Sequence, residues 1–113
     1  MSSTINECVC QVVDDYVLVR LSGEVDLSWS QQVRRAILDA LGDTGKVGVE
    51  LSRVSYIDSS GIAALVEGFQ TARGNGQQFA LVAASDAVMS VLQLARLDRV
   101  FPLYASLDEA RSV

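Results

Sequence analysis

Between Tyr16 and Ala110 the chain switches repeatedly between two hydrophobic periods, and that alternation restricts its fold more than any other feature. Runs of consecutive or alternate apolar residues suit strands, and apolar residues recurring every three or four positions suit helices. Glu7 to Val13 and Tyr16 to Leu21 are expected as strands, with Asp14-Asp15 as the tight turn of a hairpin. Ser22-Gly23-Glu24-Val25-Asp26 then reads as a polar loop. Ser28 and Gln31 fit a capping box for a first helix, whose inward stripe is Val33, Ala36, Ile37, Ala40 and Leu41 and which Gly42 and Gly45 stop. Val47 to Leu51 is a short strand, leading through Arg53-Val54-Ser55-Tyr56-Ile57 into a second helix from about Ser59 to Arg73. Its core stripe is Ile62, Leu65, Val66 and Phe69, and Gly74-Asn75-Gly76 ends it. Phe79 to Ala83 is apolar throughout, as a strand buried on both faces would be. Ser85 caps a third helix with the stripe Val88, Val91, Leu92 and Ala95. Val100 to Tyr104 suits a short edge strand that tolerates Pro102, and Ser106 with Glu109 suggests a capping box over a short last helix. After the hairpin, strands and helices alternate, which calls for crossover connections and a mostly parallel sheet. The 113 residues suffice for one modest core, so a single α/β domain spanning 1–113 is expected.

Several classes of chemistry are excluded by what the chain lacks. It has no histidine, so Ser-His-Asp and Cys-His catalysis, phosphohistidine relays and histidine-containing zinc sites cannot be built from it alone. Cys8 and Cys10 are the only thiols, two apart on a predicted strand, and read as small apolar groups packed side by side on one face. Net charge is −5 with no basic cluster, which argues against nucleic acid and anionic membrane partners. No run approaches 18 apolar residues, and Met1-Ser2-Ser3-Thr4 lacks the basic and apolar regions of a signal peptide, so a cytoplasmic location is expected. A metal site on Asp14, Asp15, Glu24 and Asp26 is conceivable, but charges bracketing a hairpin are ordinarily solvated. No metal and no cofactor is expected.

Chemistry concentrates at Asp58-Ser59-Ser60-Gly61, where a strand-like run meets a helix start. Unpaired backbone N–H groups and the helix dipole favour negative charge there. A serine at this place serves either as an N-cap or as the carrier of a phosphate. A nucleophile elbow would need small residues two before and two after the serine; around Ser59 these are Ile57 and Gly61, there is no histidine to activate the hydroxyl, and Lys46, the only lysine, lies outside the motif. No Walker pattern exists, and Gly74-Asn75-Gly76 is a helix stop. Gly61, Ala64 and Gly68 share one helix face at i, i+3 and i+7. Glycine within a helix costs about 1 kcal/mol relative to alanine, so Gly68 implies that another backbone comes close, either a partner's or the domain's own. The expectation is a bare outer face for docking, with a phosphate on Ser59 blocking it by bulk, charge and hydration.

These motifs together resemble a known family. Leu21-Ser22-Gly23-Glu24-Val25-Asp26, and the run from Leu51 to Gly61 with Tyr56-Ile57-Asp58-Ser59-Ser60-Gly61-Ile62, are similar to the two signatures of STAS domains, above all those of bacterial anti-sigma factor antagonists. The resemblance spans about Val9 to Ala110. It implies a mixed, mostly parallel sheet of four to five strands, with about four helices packed mainly on one face. It implies that Ser59 is phosphorylated by a partner serine kinase that doubles as the anti-sigma factor. The unphosphorylated domain would bind that kinase and free a sigma factor, thereby regulating transcription, and a PP2C-type phosphatase would restore the hydroxyl. The partner surface would comprise Gly23, Glu24 and Asp26 with Asp58, Ser60, Gly61, Ala64 and Gly68. The domain would then be a substrate and signalling module, not an enzyme. Relatives of other kinds serve as subunits of ABC-type lipid or anion transport systems or as biofilm and stress regulators; the intact Asp58-Ser59-Ser60-Gly61 favours the phosphoswitch class.

Overall fold

The computed structural model describes residues 6–43 and 45–112; the reading of Met1 to Thr4 lies outside the described residues. Among the described residues a five-stranded sheet runs in the order β1 (Glu7–Val13), β2 (Tyr16–Val25), β3 (Lys46–Ile57), β4 (Gln78–Val82), β5 (Leu103–Tyr104). The hairpin β1–β2 is antiparallel, and every later pair is parallel. Four α-helices connect or follow the strands: α1 (Ser30–Asp43), α2 (Ser59–Gly74), α3 (Asp86–Leu94) and α4 (Leu107–Arg111), with a short 3-10 helix at Leu97–Arg99.

Alternation along the strands sorts the side chains between two faces. Val19, Leu21, Val47, Val49, Leu51, Phe79 and Leu81 join the main core with residues of α1, α2 and α3. The intervening Ala80 joins Tyr16 and Ala110 in a smaller cluster beneath α4. Three helices therefore cover one face and the short α4 partly covers the other, the asymmetry the resemblance implies.

The strands that carry the site run longer than their sequence suggests. Ser22 to Val25 is not a loop: it continues β2, paired in parallel with β3 from Ser22↔Arg53 to Val25↔Ile57. β3 is likewise one strand of 12 residues. Its register slips twice against β2, between Arg20 and Ser22 and between Gly23 and Glu24. Each slip inserts one extra β3 residue, as a bulge does. The buried positions of β3 accordingly pass from a spacing of two (Val47, Val49, Leu51) to a spacing of three (Leu51, Val54, Ile57). Gly23, with φ of 101°, adopts at the second slip a backbone that glycine alone takes readily. At the far side, the paired part of the last strand is only Leu103–Tyr104 and not the whole of Val100 to Tyr104, because Val100 closes the 3-10 turn by donating to the Leu97 carbonyl at 3.0 Å.

Candidate phosphorylation site

The two motifs meet where β2 and β3 end side by side. Val25 pairs with Ile57, and the Asp58 amide donates to the Val25 carbonyl at 3.2 Å. Both motif aspartates thus leave the sheet at the carboxyl ends of adjacent parallel strands, where open α/β sheets place their working loops.

Each aspartate then organises the turn that follows it. Asp26 Oδ1 accepts from the Ser28 amide at 3.0 Å and the Ser28 hydroxyl at 2.6 Å, and its carbonyl accepts from Trp29 and Ser30 at 3.0 and 2.8 Å. This displaces the capping box expected of Ser28 and Gln31, and α1 begins at Ser30. The buried Trp29, at the head of α1, joins the main core and anchors the turn. At α2 the N-cap is Asp58, not a serine. Asp58 Oδ1 accepts from the amides of Ser60 and Gly61 at 2.9 and 3.1 Å and from the Ser60 hydroxyl at 2.6 Å. The Ser60 hydroxyl bond, followed by the Gly61, Ser60 and Leu27 amides, holds the Asp58 carboxyl below the usual carboxylate range.

The two serines consequently differ. Ser60 is half-buried, and its proton is committed to Asp58. Ser59 is the first residue of α2, is exposed, and its hydroxyl makes no hydrogen bond among the described residues. Around it lie groups that sequence reasoning did not single out. Leu27 is 74% exposed, with its amide helping to lower the Asp58 pKa, and Tyr56 is 49% exposed beside Glu24 in the sheet register. Ala63 is exposed one turn along α2. Leu27 was detectable as a large apolar residue in a polar turn, outside any core stripe.

The face bearing Gly61, Ala64 and Gly68 is a correction. All three residues are buried, so this wall of α2 is its inner one. A Cβ at Gly61 would lie 2.7 Å from Ile57 Cγ1 and 2.8 Å from both Val25 Cγ1 and the Val25 carbonyl oxygen. One at Gly68 would lie 2.6 Å from Ile37 Cγ2 of α1 and 3.1 Å from Phe79 Cε2 of β4. Gly68 does meet close neighbours, but they are the side chains of Ile37 in α1 and Phe79 in β4, not another backbone. Glu24 is exposed and Asp26 half-buried; Gly23 is buried within β2. The four acidic residues weighed as a metal site do not converge. Asp14 pairs with Arg111 at 2.8 Å and Asp15 with Lys46 at 2.5 Å, at the opposite end of the ten-residue β2 from Glu24 and Asp26.

Comparison with known proteins finds relatives along most of the chain. The family model described as STAS domain matches residues 8–110. A candidate anti-sigma factor antagonist of Thermotoga maritima is 29% identical over 102 residues, covering 88% of this chain and 90% of its own. The anti-sigma F factor antagonist of Paenibacillus polymyxa is 26% identical over 90 residues, covering 78% of this chain and 77% of its own. The crystal structure of an anti-sigma factor antagonist from Mycobacterium paratuberculosis superposes with a TM-score of 0.86 at 28% identity, over 96% of this chain and 92% of that one.

Proposed function

The chain belongs to the STAS domain family, and from that premise we propose that it is an anti-sigma factor antagonist switched by phosphorylation of Ser59. The names of its relatives support the assignment. The single observation that carries the switch is the contrast between the two serines: Ser59 is open to solvent while Ser60 is held by Asp58.

In the unphosphorylated form the domain binds a serine kinase that is also an anti-sigma factor, and the sigma factor is released. Leu27, Tyr56 and Ala63 supply apolar contact around Ser59, with Glu24 and the Asp26 turn at the rim. The role formerly expected of Gly61, Ala64 and Gly68 becomes indirect: they let α2 sit deep enough for its N-terminus to meet the end of β2. In the kinase step Ser59 Oγ attacks the γ-phosphorus of ATP, the bond to the β–γ bridging oxygen breaks, ADP leaves, and the serine proton passes to a base of the kinase. A PP2C-type phosphatase directs water at the same phosphorus, releasing inorganic phosphate and restoring the hydroxyl. The domain is a substrate and a binding module in both steps.

Phosphate on Ser59 carries roughly −1.5 to −2 charge at neutral pH. The Ser60 and Gly61 amides, which would otherwise attract it, already serve Asp58. The phosphate therefore stays outward, beside a carboxylate, and a partner closing on Leu27 and Tyr56 must desolvate it. Desolvating an unpaired charge costs several kcal/mol, so loss of binding by at least about 100-fold, roughly 2.7 kcal/mol, is expected. The test is incubation with ATP and purified anti-sigma serine kinases, with the phosphate located by mass spectrometry. Modification of Ser59 alone, absent in Ser59→Ala, supports the proposal; modification of Ser60 or of neither serine refutes it.

A further inference from the structure

The two edges of the sheet are treated differently. At one edge β5 is two residues long, follows Pro102, and lies beside α4. Short length and proline are the ordinary means of preventing a sheet edge from pairing with another chain. At the other edge β1 is seven residues long, and Glu7–Val13 contains no lysine, arginine or proline. Val9 is 51% exposed and Val12 is 74% exposed. Cys10, expected to pack beside Cys8, is exposed, while Cys8 is half-buried against the main core.

Which backbone groups of β1 face outward follows from the hairpin. The two-residue Asp14-Asp15 turn is flanked by the pair Val13↔Tyr16, and the hydrogen bond across such a turn makes that pair a bonded one. Bonded and non-bonded pairs alternate along an antiparallel ladder. Val13, Gln11, Val9 and Glu7 therefore direct their N–H and C=O groups to β2. Val12, Cys10 and Cys8 direct theirs away from the sheet. Asp14 and Asp15 at the turn end of this edge are matched by Arg111 and Lys46, which leaves Glu7 as the one charged residue within the strand.

We infer that β1 pairs antiparallel with β1 of a second copy of this chain, about a two-fold axis at Cys10, joining two sheets into one of ten strands. In this register Cys10 faces Cys10 of the other copy, Cys8 faces Val12 and Val9 faces Gln11. Each outward-directed N–H and C=O of Cys8, Cys10 and Val12 gains a partner. The contact is limited to a strand of about 23 Å, so association is weak and depends on concentration. The contact involves neither the Ser59 hydroxyl nor Leu27 or Tyr56, so it stands or falls independently of the phosphoswitch.

The full chain is examined by sedimentation velocity over a range of concentrations under reducing conditions, then incubated with oxidised glutathione. Opposed Cα atoms in a bonded antiparallel pair lie about 5.5 Å apart, within disulfide range. The two Cys10 thiols give up two protons and two electrons to glutathione disulfide, which leaves as two glutathiones. The expected result is a concentration-dependent dimer, weakened at least about tenfold in Val12→Lys, together with a covalent dimer that Cys10→Ser abolishes. Circular dichroism and a melting curve establish that Val12→Lys is folded, and Val9→Lys, on the opposite sheet face, serves as the second variant. A monomer at every concentration overturns the inference, as does a dimer indifferent to both lysine variants or a covalent dimer that survives Cys10→Ser.

Discussion

The inner wall of α2 and its N-terminal mouth adjoin at Gly61, yet opposite demands shape them. Along the inner wall, Gly61, Ala64, Leu65, Gly68 and Ala72 are buried, and the limit is space: a single added methyl at Gly61 would collide with the backbone of β2. At the mouth, Ser59 is exposed and the limit is hydrogen bonding, since Asp58 has taken the amides and the neighbouring hydroxyl. The difference teaches that small residues on one helix have two meanings. Those facing inward fix where the helix sits, and the outward serine takes its chemistry from that placement.

Substitutions should separate the two regions, beginning with the inner wall. Leu65→Ala removes a fully buried side chain and should cost about 2–5 kcal/mol, lowering the melting temperature by roughly 4 °C per kcal/mol. Gly61→Ala should destabilise by about 1–3 kcal/mol through overpacking, despite the better helix propensity of alanine; a melting temperature equal to wild type would refute the steric account. Asp58→Ala removes the N-cap and should cost about 0.5–2 kcal/mol in chemical denaturation at neutral pH. Because the folded Asp58 pKa is depressed, its contribution is complete above the ordinary carboxylate value of about 3.9 and fades as pH falls through the lowered value. The gap between wild type and Asp58→Ala should thus narrow at the acid end, and a constant gap from pH 7 to pH 2 would contradict the hydrogen-bonding account. Smallest of all, Ser59→Ala should alter stability by less than about 0.5 kcal/mol, since the hydroxyl holds nothing in the domain.

Element order, the hairpin, the parallel sheet and the caps of α3 and α4 were legible because periodicity and cap chemistry are local. Ser85 Oγ accepts from the Val88 amide at 3.2 Å and Ser106 Oγ from the Glu109 amide at 3.3 Å, as the sequence suggests. The end of β2 was not legible: Ser22-Gly23-Glu24 has the composition of a loop, and only pairing with β3 makes it strand. The bulges of β3 were hidden for a related reason, since Leu51, Val54 and Ile57 at spacings of three fit neither a simple strand nor a clear helix. At the site, the motif serine was visible but the division of labour was not. Whether Asp58 or a serine caps α2 depends on side-chain geometry, because both residue types are good N-caps. The side on which Gly61, Ala64 and Gly68 lie was misjudged because α2 packs against both the sheet and α1, which buries a wider sector than one apolar stripe implies.

The central claim is that a charge on Ser59 closes the docking surface while leaving the domain intact. Its most direct test is calorimetric titration of one purified anti-sigma serine kinase, shown to bind the unmodified domain, with the Ser59-phosphorylated domain, alongside melting curves of both forms. At least about 100-fold weaker binding with a melting temperature changed by only a few degrees is the predicted result. Equal binding by both forms would contradict it, and so would loss of binding that arises only because the phosphorylated domain has unfolded.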